Sequence, residues 1–279
     1  EAAKQLYVAQ PYLSKQIAML ERELNLQLFI RTKRSVRLTP AGTVLLEELN
    51  DISRRLDNAL EKARQACIGQ TGSLSIGCLE ALDLSDVFPP LIQSFRRDYP
   101  DVSLNLERHS FKALLDALTS RLLDVVITLS FEVKDRPGLC WETIYEHPGS
   151  IVMPTSHPLA KLKHINIIDL KDEPFIIISE QESPSGAAEF IQCCRARGFE
   201  PNIVKQAPSL ESVLLWVESG MGLALLDRHI RLHNNPLIRL IELDENSQVG
   251  IVAAWKKDNI NPTIALFINR LIHEQKTVS

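Results

Sequence analysis

The pattern of hydrophobic and polar positions begins with an amphipathic helix after residue 10. Its apolar positions recur at steps of four, three and four, at Leu13, Ile17, Leu20 and Leu24. Pro11 suits the first turn, because the missing N–H of proline has no helical partner there. The opposite face carries Pro11, Ser14, Lys15, Ala18 and Arg22. We therefore predict a helix with a polar and basic exposed face, preceded by a short helix over residues 1–7 and a turn over residues 8–10.

A basic segment follows this helix. Four cations fall within seven residues, at Arg31, Lys33, Arg34 and Arg37. Apolar residues flank them at positions 28–29 and 36–38, which predicts a β-ribbon with an apolar root and a charged tip. Such a wing can lie along a phosphate backbone and gain affinity by counterion release. An amphipathic helix alone is most often only a solvated helix, but a helix followed by a basic wing favours DNA binding.

A long helix is predicted from residue 40, because Thr39 can cap it and Pro40 can occupy its first turn. Its apolar positions alternate at steps of four and three, at Leu45, Leu49, Ile52, Leu56, Ala59, Ala63 and Ala66. The helix either packs on its own domain or pairs with a second copy. Pairing is favoured beside a DNA-binding unit, because a two-fold dimer reads paired half-sites. Residues 69–72 have the composition of a hinge.

From residue 73 onward, short apolar strands alternate with amphipathic helices. The first run predicts strands over 74–77, 103–107 and 125–127 and helices over 86–98 and 111–120. The second run predicts strands over 175–178, 203–205 and 223–226, helices over 187–197 and 210–219, a returning strand over 249–255 and a last helix from residue 262. This order predicts parallel sheets with helices on both faces, in two similar α/β halves with a cleft between them.

Charge is unevenly distributed along the 279 residues. Residues 1–72 carry 11 Lys and Arg against 8 Asp and Glu, whereas the remainder carries 20 against 27. A basic start on an acidic body indicates that only the first part meets a polyanion. The five cysteines are odd in number and form no CxxC pair, which favours a reducing cytoplasm over a disulfide framework.

Membrane, catalytic and metal-binding signals are lacking in the sequence. No apolar run approaches the roughly 18 residues that span a bilayer, and no export signal is visible. No GxxxxGK[ST], HExxH or GxSxG run occurs. His229 and His233 lie four residues apart but have no third ligand nearby in the sequence. We therefore expect no membrane partner, no cofactor, no metal site and no catalytic residue.

The N-terminal motifs resemble the DNA-binding domain of LysR-type transcriptional regulators. The matching positions are Gln10-Pro11, Ser14-Lys15-Gln16, Leu20-Glu21, Leu28-Phe29, Arg31 and Leu38-Thr39-Pro40-Ala41-Gly42. The resemblance implies a winged helix-turn-helix from which the family's first helix is absent. The chain departs from the family pattern at Ala9, where a capping Ser or Thr is usual, and at Tyr12, where a small residue is usual.

The body also resembles this family. The matching segments are Ser156–Ala160, Asp172–Phe175, Gly198-Phe199, Gly220–Leu225 and Ala254–Lys256. The resemblance implies a linker helix and a two-lobed α/β effector-binding domain like the periplasmic binding proteins. We therefore expect a DNA-binding domain over residues 1–42, a dimerisation helix and hinge over 43–72, and an effector domain over 73–279. Lobe I would comprise about 73–153 and 244–279, and lobe II about 154–243.

Strand ends and helix starts predict the residues of an effector cleft. These candidates are Leu79, Glu80, Ala81, Ser110, Thr128, Leu129, Ser179, Ser209 and Gly222. Each is also compatible with an ordinary loop residue or helix cap. Acidic residues near them, Glu80, Asp83, Glu180 and Glu182, favour a neutral or cationic effector over a dicarboxylate.

Together these features predict a bacterial, cytoplasmic transcriptional regulator, acting as a homodimer or tetramer. Its partners would be double-stranded DNA and a small-molecule effector. The expected groove contacts are Gln10, Pro11, Tyr12, Ser14 and Lys15, and the expected phosphate contacts are Arg31, Lys33, Arg34 and Arg37. The alternatives are a solute-binding protein with an N-terminal extension that does not bind DNA and, less favoured, a cytoplasmic α/β enzyme.

Overall fold

The computed structural model describes residues 3, 7–32, 35–67, 72–232, 235–243 and 248–278. The chain forms two compact units, residues 1–64 and residues 65–279. Of the short helix predicted over residues 1–7, only Ala3, which is helical, and Tyr7 lie within the described residues. The hinge predicted over residues 69–72 lies outside them except for Gly72.

The first unit contains helix α1 (Gln10–Leu24), strands β1 (Phe29–Arg31) and β2 (Val36–Leu38), and helix α2 (Pro40–Cys67), which begins in this unit. The two strands pair antiparallel, with Phe29 opposite Leu38. Helix α1 ends where Asn25 adopts the left-handed conformation, at φ 51°. The helix, the ribbon and the long helix predicted from the sequence are therefore all present.

The start of helix α2 is held against the segment that follows helix α1. The Thr39 Oγ1 accepts the Gly42 N–H at 2.9 Å and donates to the Gln27 carbonyl at 2.6 Å. The Thr39 N–H also donates to the Leu28 carbonyl at 2.9 Å. A Cβ at position 42 would overlap that carbonyl oxygen, so this close approach requires glycine. Thr39 thus caps the helix as predicted.

The second unit contains both strands and helices. In chain order they are β3 (Ser73–Leu79), α3 (Phe88–Asp98), β4 (Ser103–His109), α4 (Phe111–Thr119), β5 (Val125–Leu129), β6 (Leu139–Pro148), β7 (Ser150–Pro154), β8 (Pro174–Ile178), α5 (Pro184–Arg195), β9 (Asn202–Ala207), α6 (Leu210–Glu218), β10 (Ala224–Leu226), β11 (Ile238–Glu242), β12 (Gln248–Lys256) and α7 (Pro262–Val278).

The principal sheet of the second unit has the strand order β4-β3-β5-β12-β6. Strand β3 runs parallel to β4 and β5, but β12 runs antiparallel to both β5 and β6. The expectation of wholly parallel sheets is therefore wrong. Strand β6 leaves this sheet toward the second lobe and β12 returns from it, so the strand that brings the chain back runs in the reverse direction.

The second lobe has a parallel pair, β8-β9, and an antiparallel three-stranded sheet in the order β10-β7-β11. The sequence pattern did not predict β6, β7 or β11. Strand β6 mixes polar and apolar residues without clean alternation, and β7 is a short buried run that periodicity alone does not resolve.

Two apolar cores stabilise the second unit. The larger joins both lobes and includes Phe95, which meets Phe267 of helix α7 edge-on at 5.6 Å between ring centroids. The smaller lies in the second lobe around Phe175 and Phe190, whose ring centroids are 4.9 Å apart. Within the described residues, the helices are too short or too polar to cross a membrane.

Candidate nucleic-acid interface and ligand cavity

The predicted groove-contacting residues all lie in the first two turns of helix α1. Gln10, Pro11, Tyr12 and Lys15 are exposed, and Ser14 is half-buried. The Gln10 Nε2 donates to the Ser14 Oγ at 3.0 Å, which orients both side chains. Ala9 supplies no side-chain cap, so the first N–H groups of the helix stay available to an acceptor such as a phosphate.

The wing carries its arginines on different faces. In the β1-β2 register, Arg31 lies opposite Val36 and Arg37 lies opposite Ile30. Side chains directly opposite each other share a face, and successive residues alternate. The two arginines therefore point to opposite faces of the ribbon, and both are exposed. Lys33 and Arg34, the other predicted phosphate contacts, lie outside the described residues.

Glu21 joins helix α1 to the wing. One of its carboxylate oxygens accepts the N–H groups of Leu28 at 2.8 Å and Phe29 at 3.0 Å, and the other lies 4.0 Å from Arg31. These two backbone hydrogen bonds are the main cause that lowers the pKa of Glu21, and Arg31 adds to the effect. The sequence signalled this residue only as part of the Leu20-Glu21 motif.

Helix α2 exposes much of its apolar stripe. Leu49, Ile52 and Leu56 keep 48%, 57% and 58% of their surface exposed in the single chain. The side chains of Ala63 and Ala66, at the end of the predicted stripe, lie outside the described residues. Exposed apolar residues at heptad spacing indicate a helix that pairs with another helix.

A cavity of about 100 Å³ lies within the second unit. Residues from both lobes line it, and nearly all are apolar. They include Phe111, Leu129, Phe131, Gly149, Ile176, Ile177, Ile178, Ala187, Phe190, Leu210, Leu225, Leu226, Ile230, Leu243 and Val249. The polar lining residues are Ser183, Glu189, Cys193 and Asp227. A mostly apolar pocket with a few polar groups is the usual form of a small-molecule site.

Asp227 is the most buried charged residue in this lining, with 3% of its surface exposed. Its Oδ1 accepts the backbone N–H of His229 at 2.8 Å and lies 3.0 Å from the Nδ1 of the same residue. Its Oδ2 is buried and has no hydrogen-bond partner among the described residues. A buried carboxylate oxygen without a partner is costly unless a donor satisfies it.

Two polar contacts join the lobes beside the cavity. The Ser183 Oγ, just before helix α5, donates to the Glu132 Oε1 in the turn after β5. Lys134 pairs with Glu189 of helix α5 at 2.6 Å. Burial raises the pKa of Glu132, while the Ser183 hydrogen bond and then Arg136, at 3.6 Å, oppose this increase. The local sequence pattern did not predict the contact between Ser183 and Glu132.

An aromatic cluster connects strand β6 with the segment after β10. The Tyr145 and His229 rings stack with centroids 4.9 Å apart, and His147 lies 4.7 Å from His229. Burial lowers the pKa of His147, and the nearby His229 and Arg228 add to this effect. The part of the chain that the structure describes holds no group of three or more His, Cys, Asp or Glu able to bind a metal ion. His233 lies outside that part.

Among the nine predicted effector residues, Leu129 lines the cavity. The other eight are not among its lining residues. Leu79, Ala81, Thr128 and Gly222 are buried, Ser110, Ser179 and Ser209 are half-buried, and Glu80 is exposed. Ser209 caps helix α6 by accepting the Ser212 N–H at 3.2 Å. A Cβ at Gly222 would lie 2.8 Å from the Pro174 carbonyl, so close packing accounts for this glycine.

Comparison with known proteins covers both units. Residues 1–43 match the family model of the bacterial regulatory helix-turn-helix proteins of the lysR family. Residues 68–276 match the model of the LysR substrate binding domain. The HTH-type transcriptional regulator AlsR of Bacillus subtilis (strain 168) is 31% identical over 270 residues, which cover 96% of this chain and 88% of AlsR. The transcriptional dual regulator GltC of the same organism is 34% identical over 218 residues, covering 77% and 70%.

Solved structures agree with this fold. Full-length CbnR, a LysR family regulator solved in a complex with its target DNA, has a TM-score of 0.74 at 21% identity over 99% of this chain and 93% of CbnR. A LysR family regulator from Pseudomonas aeruginosa, the PA01 protein, has a TM-score of 0.59 at 26% identity over 100% and 93%. With a family model over each unit and a relative above 30% identity over nearly its whole length, the chain belongs to the LysR family of transcriptional regulators.

Proposed function

We propose that the chain regulates transcription as a homodimer or tetramer that binds double-stranded DNA and responds to a small molecule held between the lobes of its second unit. One observation supports this proposal: the first unit exposes both the polar start of helix α1 and the arginines of the wing, and Glu21 joins the helix to the wing. The nine DNA-contact assignments are part of it. The chain acts as a regulator rather than as an enzyme, in the cytoplasm, where its DNA partner is found.

The groove and the wing have different roles in this proposal. Lys15 is exposed one turn into helix α1, where a recognition helix contacts base edges. Arg37 is exposed on the wing, where a cation neutralises a phosphate. Loss of Lys15 therefore reduces affinity for the specific site, whereas loss of Arg37 reduces affinity for all sequences.

Gel shift with the DNA upstream of the chain's own gene, at several salt concentrations, tests these roles. Lys15→Ala should cost about 1–3 kcal/mol on the specific site. Arg37→Ala should weaken binding to specific and unrelated DNA alike and reduce the slope of log K against log salt by about 0.9. Lys171→Ala, an exposed cation of the second unit, is the control. Unchanged affinity and slope in both first-unit variants would refute the assignment.

The oligomer is tested on the stripe of helix α2. Ile52→Asp places a carboxylate on the exposed apolar stripe, where a partner helix would have to bury it unpaired. Sedimentation should show a smaller species for this variant. Asn50→Asp adds the same charge to an exposed position away from the stripe and should leave the oligomer intact. Equal sedimentation of both variants and the parent would contradict pairing through this helix.

A further inference from the structure

The cavity contains a buried acceptor without a donor. Asp227 lines the cavity, is 3% exposed, and has one carboxylate oxygen engaged by His229 and the other without a partner among the described residues. Arg228, the next residue, pairs with Glu242 at 2.6 Å. That cation is therefore engaged elsewhere, and the Asp227 carboxylate keeps a buried acceptor oxygen that still needs a donor.

The cavity has no counter-charge for an anionic ligand. None of its described lining residues is Lys, Arg or His, and its charged members are Asp227 and Glu189. Ser183 and Cys193 are uncharged polar members of the lining, and the remaining walls are mainly aliphatic and aromatic. A carboxylate ligand would enter beside a buried carboxylate without a cation to pair with it, and both like-charge repulsion and desolvation oppose this.

At the start of helix α4, the Glu182 carboxylate already accepts a backbone N–H group. Helix α4 begins at Phe111, which lines the cavity, and its N-terminal N–H groups would ordinarily attract an anion. The Glu182 Oε1 from the other lobe accepts the Lys112 N–H at 3.2 Å. An anionic ligand would have to displace Glu182, whereas a cationic ligand has no such competitor.

The volume limits the size of the ligand. An apolar cavity of about 150 Å³ holds benzene, which has six heavy atoms. The cavity here is about 100 Å³. In proportion, an apolar body of about four heavy atoms is the largest that fits without opening the lobes.

We propose that this cavity binds a small primary amine in its ammonium form, with a compact branched or cyclic apolar body, through a hydrogen bond from the ammonium to the Asp227 carboxylate. The apolar body contacts the aliphatic wall formed by residues 176–178. The charge of the ammonium is paired by Asp227, which a buried cation requires. This inference rests on the proposed function, because it names the chemical class of the effector.

Thermal denaturation of the full chain with three matched probes tests the proposal. Isobutylamine, isobutanol and isobutyrate share the same branched body and differ in their polar group. Isobutylamine should raise the Tm in a saturable manner, because a ligand that binds only the folded state stabilises it by mass action. Isobutanol should raise it less and isobutyrate should leave it unchanged. Asp227→Asn should remove the response to isobutylamine.

A second variant keeps the test independent of the fold around Asp227. Ala187 is buried in the lining, so Ala187→Leu fills the cavity while Asp227 remains. It should also lose the response to isobutylamine. An equal or larger response to isobutyrate or isobutanol, a response to isobutylamine that survives in both variants, or no response to any probe overturns the inference. Gel shift without ligand reports separately on the proposed function, so intact DNA binding beside any of these results rejects the amine assignment alone.

Discussion

Gly42→Ala has two opposite effects at the start of helix α2: alanine has the higher helix propensity, but its methyl group would overlap neighbouring atoms. Propensity alone favours alanine over glycine within a helix by about 0.8–1 kcal/mol. The added methyl, however, would overlap the Leu28 carbonyl oxygen and lie 3.1 Å from the Leu38 Cδ2. The same carbonyl accepts the Thr39 N–H at 2.9 Å, so moving it also disturbs the attachment of the helix cap.

The steric effect should prevail. Overpacking costs about 1–3 kcal/mol and a weakened hydrogen bond about 0.5–1.5 kcal/mol, so after the gain in propensity the first unit should lose roughly 0.5–3.5 kcal/mol. For a unit of this size, each kcal/mol lowers the Tm by about 4–8 °C. Asn50→Ala, at an exposed position of the same helix, also raises helix propensity but creates no overlap. It should be neutral or stabilising.

The assay can separate the two units, because all three tryptophans lie in the second: Trp141, Trp216 and Trp255. Urea unfolding followed by tryptophan fluorescence therefore reports on the second unit, and far-UV circular dichroism reports on both. Gly42→Ala should shift only the part of the dichroism transition that fluorescence does not follow. A Gly42→Ala protein with a first unit as stable as, or more stable than, the parent would refute the steric argument.

Three further predictions follow from single contacts. Ser183→Ala removes one hydrogen-bond donor from the buried Glu132 carboxylate, so the free energy of unfolding of the tryptophan-reported unit should fall by about 1.5–3 kcal/mol. Ser110→Ala, whose side chain caps no helix, should leave it unchanged. The lowered pKa of His147 means that the unfolded chain binds more protons than the folded chain below about pH 6.5, so the free energy of unfolding falls as the pH falls. His147→Asn should make this fall less steep. Equal slopes of unfolding free energy against pH in the variant and the parent, from about pH 7.5 to 5, would disprove this. Glu21→Ala should weaken specific DNA binding in gel shift, and Glu21→Gln, which keeps an acceptor for the wing N–H groups, should restore part of it; identical loss in both variants would contradict the positioning role.

Elements with strong local signals could be predicted well. The stripe of helix α1, the cations of the wing and the Thr39-Pro40 start of helix α2 all act over a few residues. Strands β6, β7 and β11 were missed because the pattern of each is weak. These strands are stabilised by partners distant in the chain, as when Ile241 of β11 pairs with Ile151 of β7.

The ligand cavity illustrates the limit of prediction from strand ends and helix starts. That rule predicted Leu129, the last residue of β5, but it did not predict Asp227 or Ser183. Asp227 follows a three-residue strand, β10, which pairs with β7, a strand distant in the chain. This long-range pairing positions Asp227 in the cavity lining. Glu132 and Ser183 are 51 positions apart, so their contact has no local signature.

The sequence by itself determined the helices and strands that have strong local patterns, the basic character of the first unit, and the family to which the chain belongs. Periodicity, helix caps and clustered charges carry this information because they act between residues close in the chain. Only the tertiary structure decided the antiparallel course of β12, the opposite faces of Arg31 and Arg37, and the burial of an unpartnered Asp227 oxygen at a mostly apolar cavity. Burial and pairing between distant segments produce these features, and no local pattern encodes which segments meet.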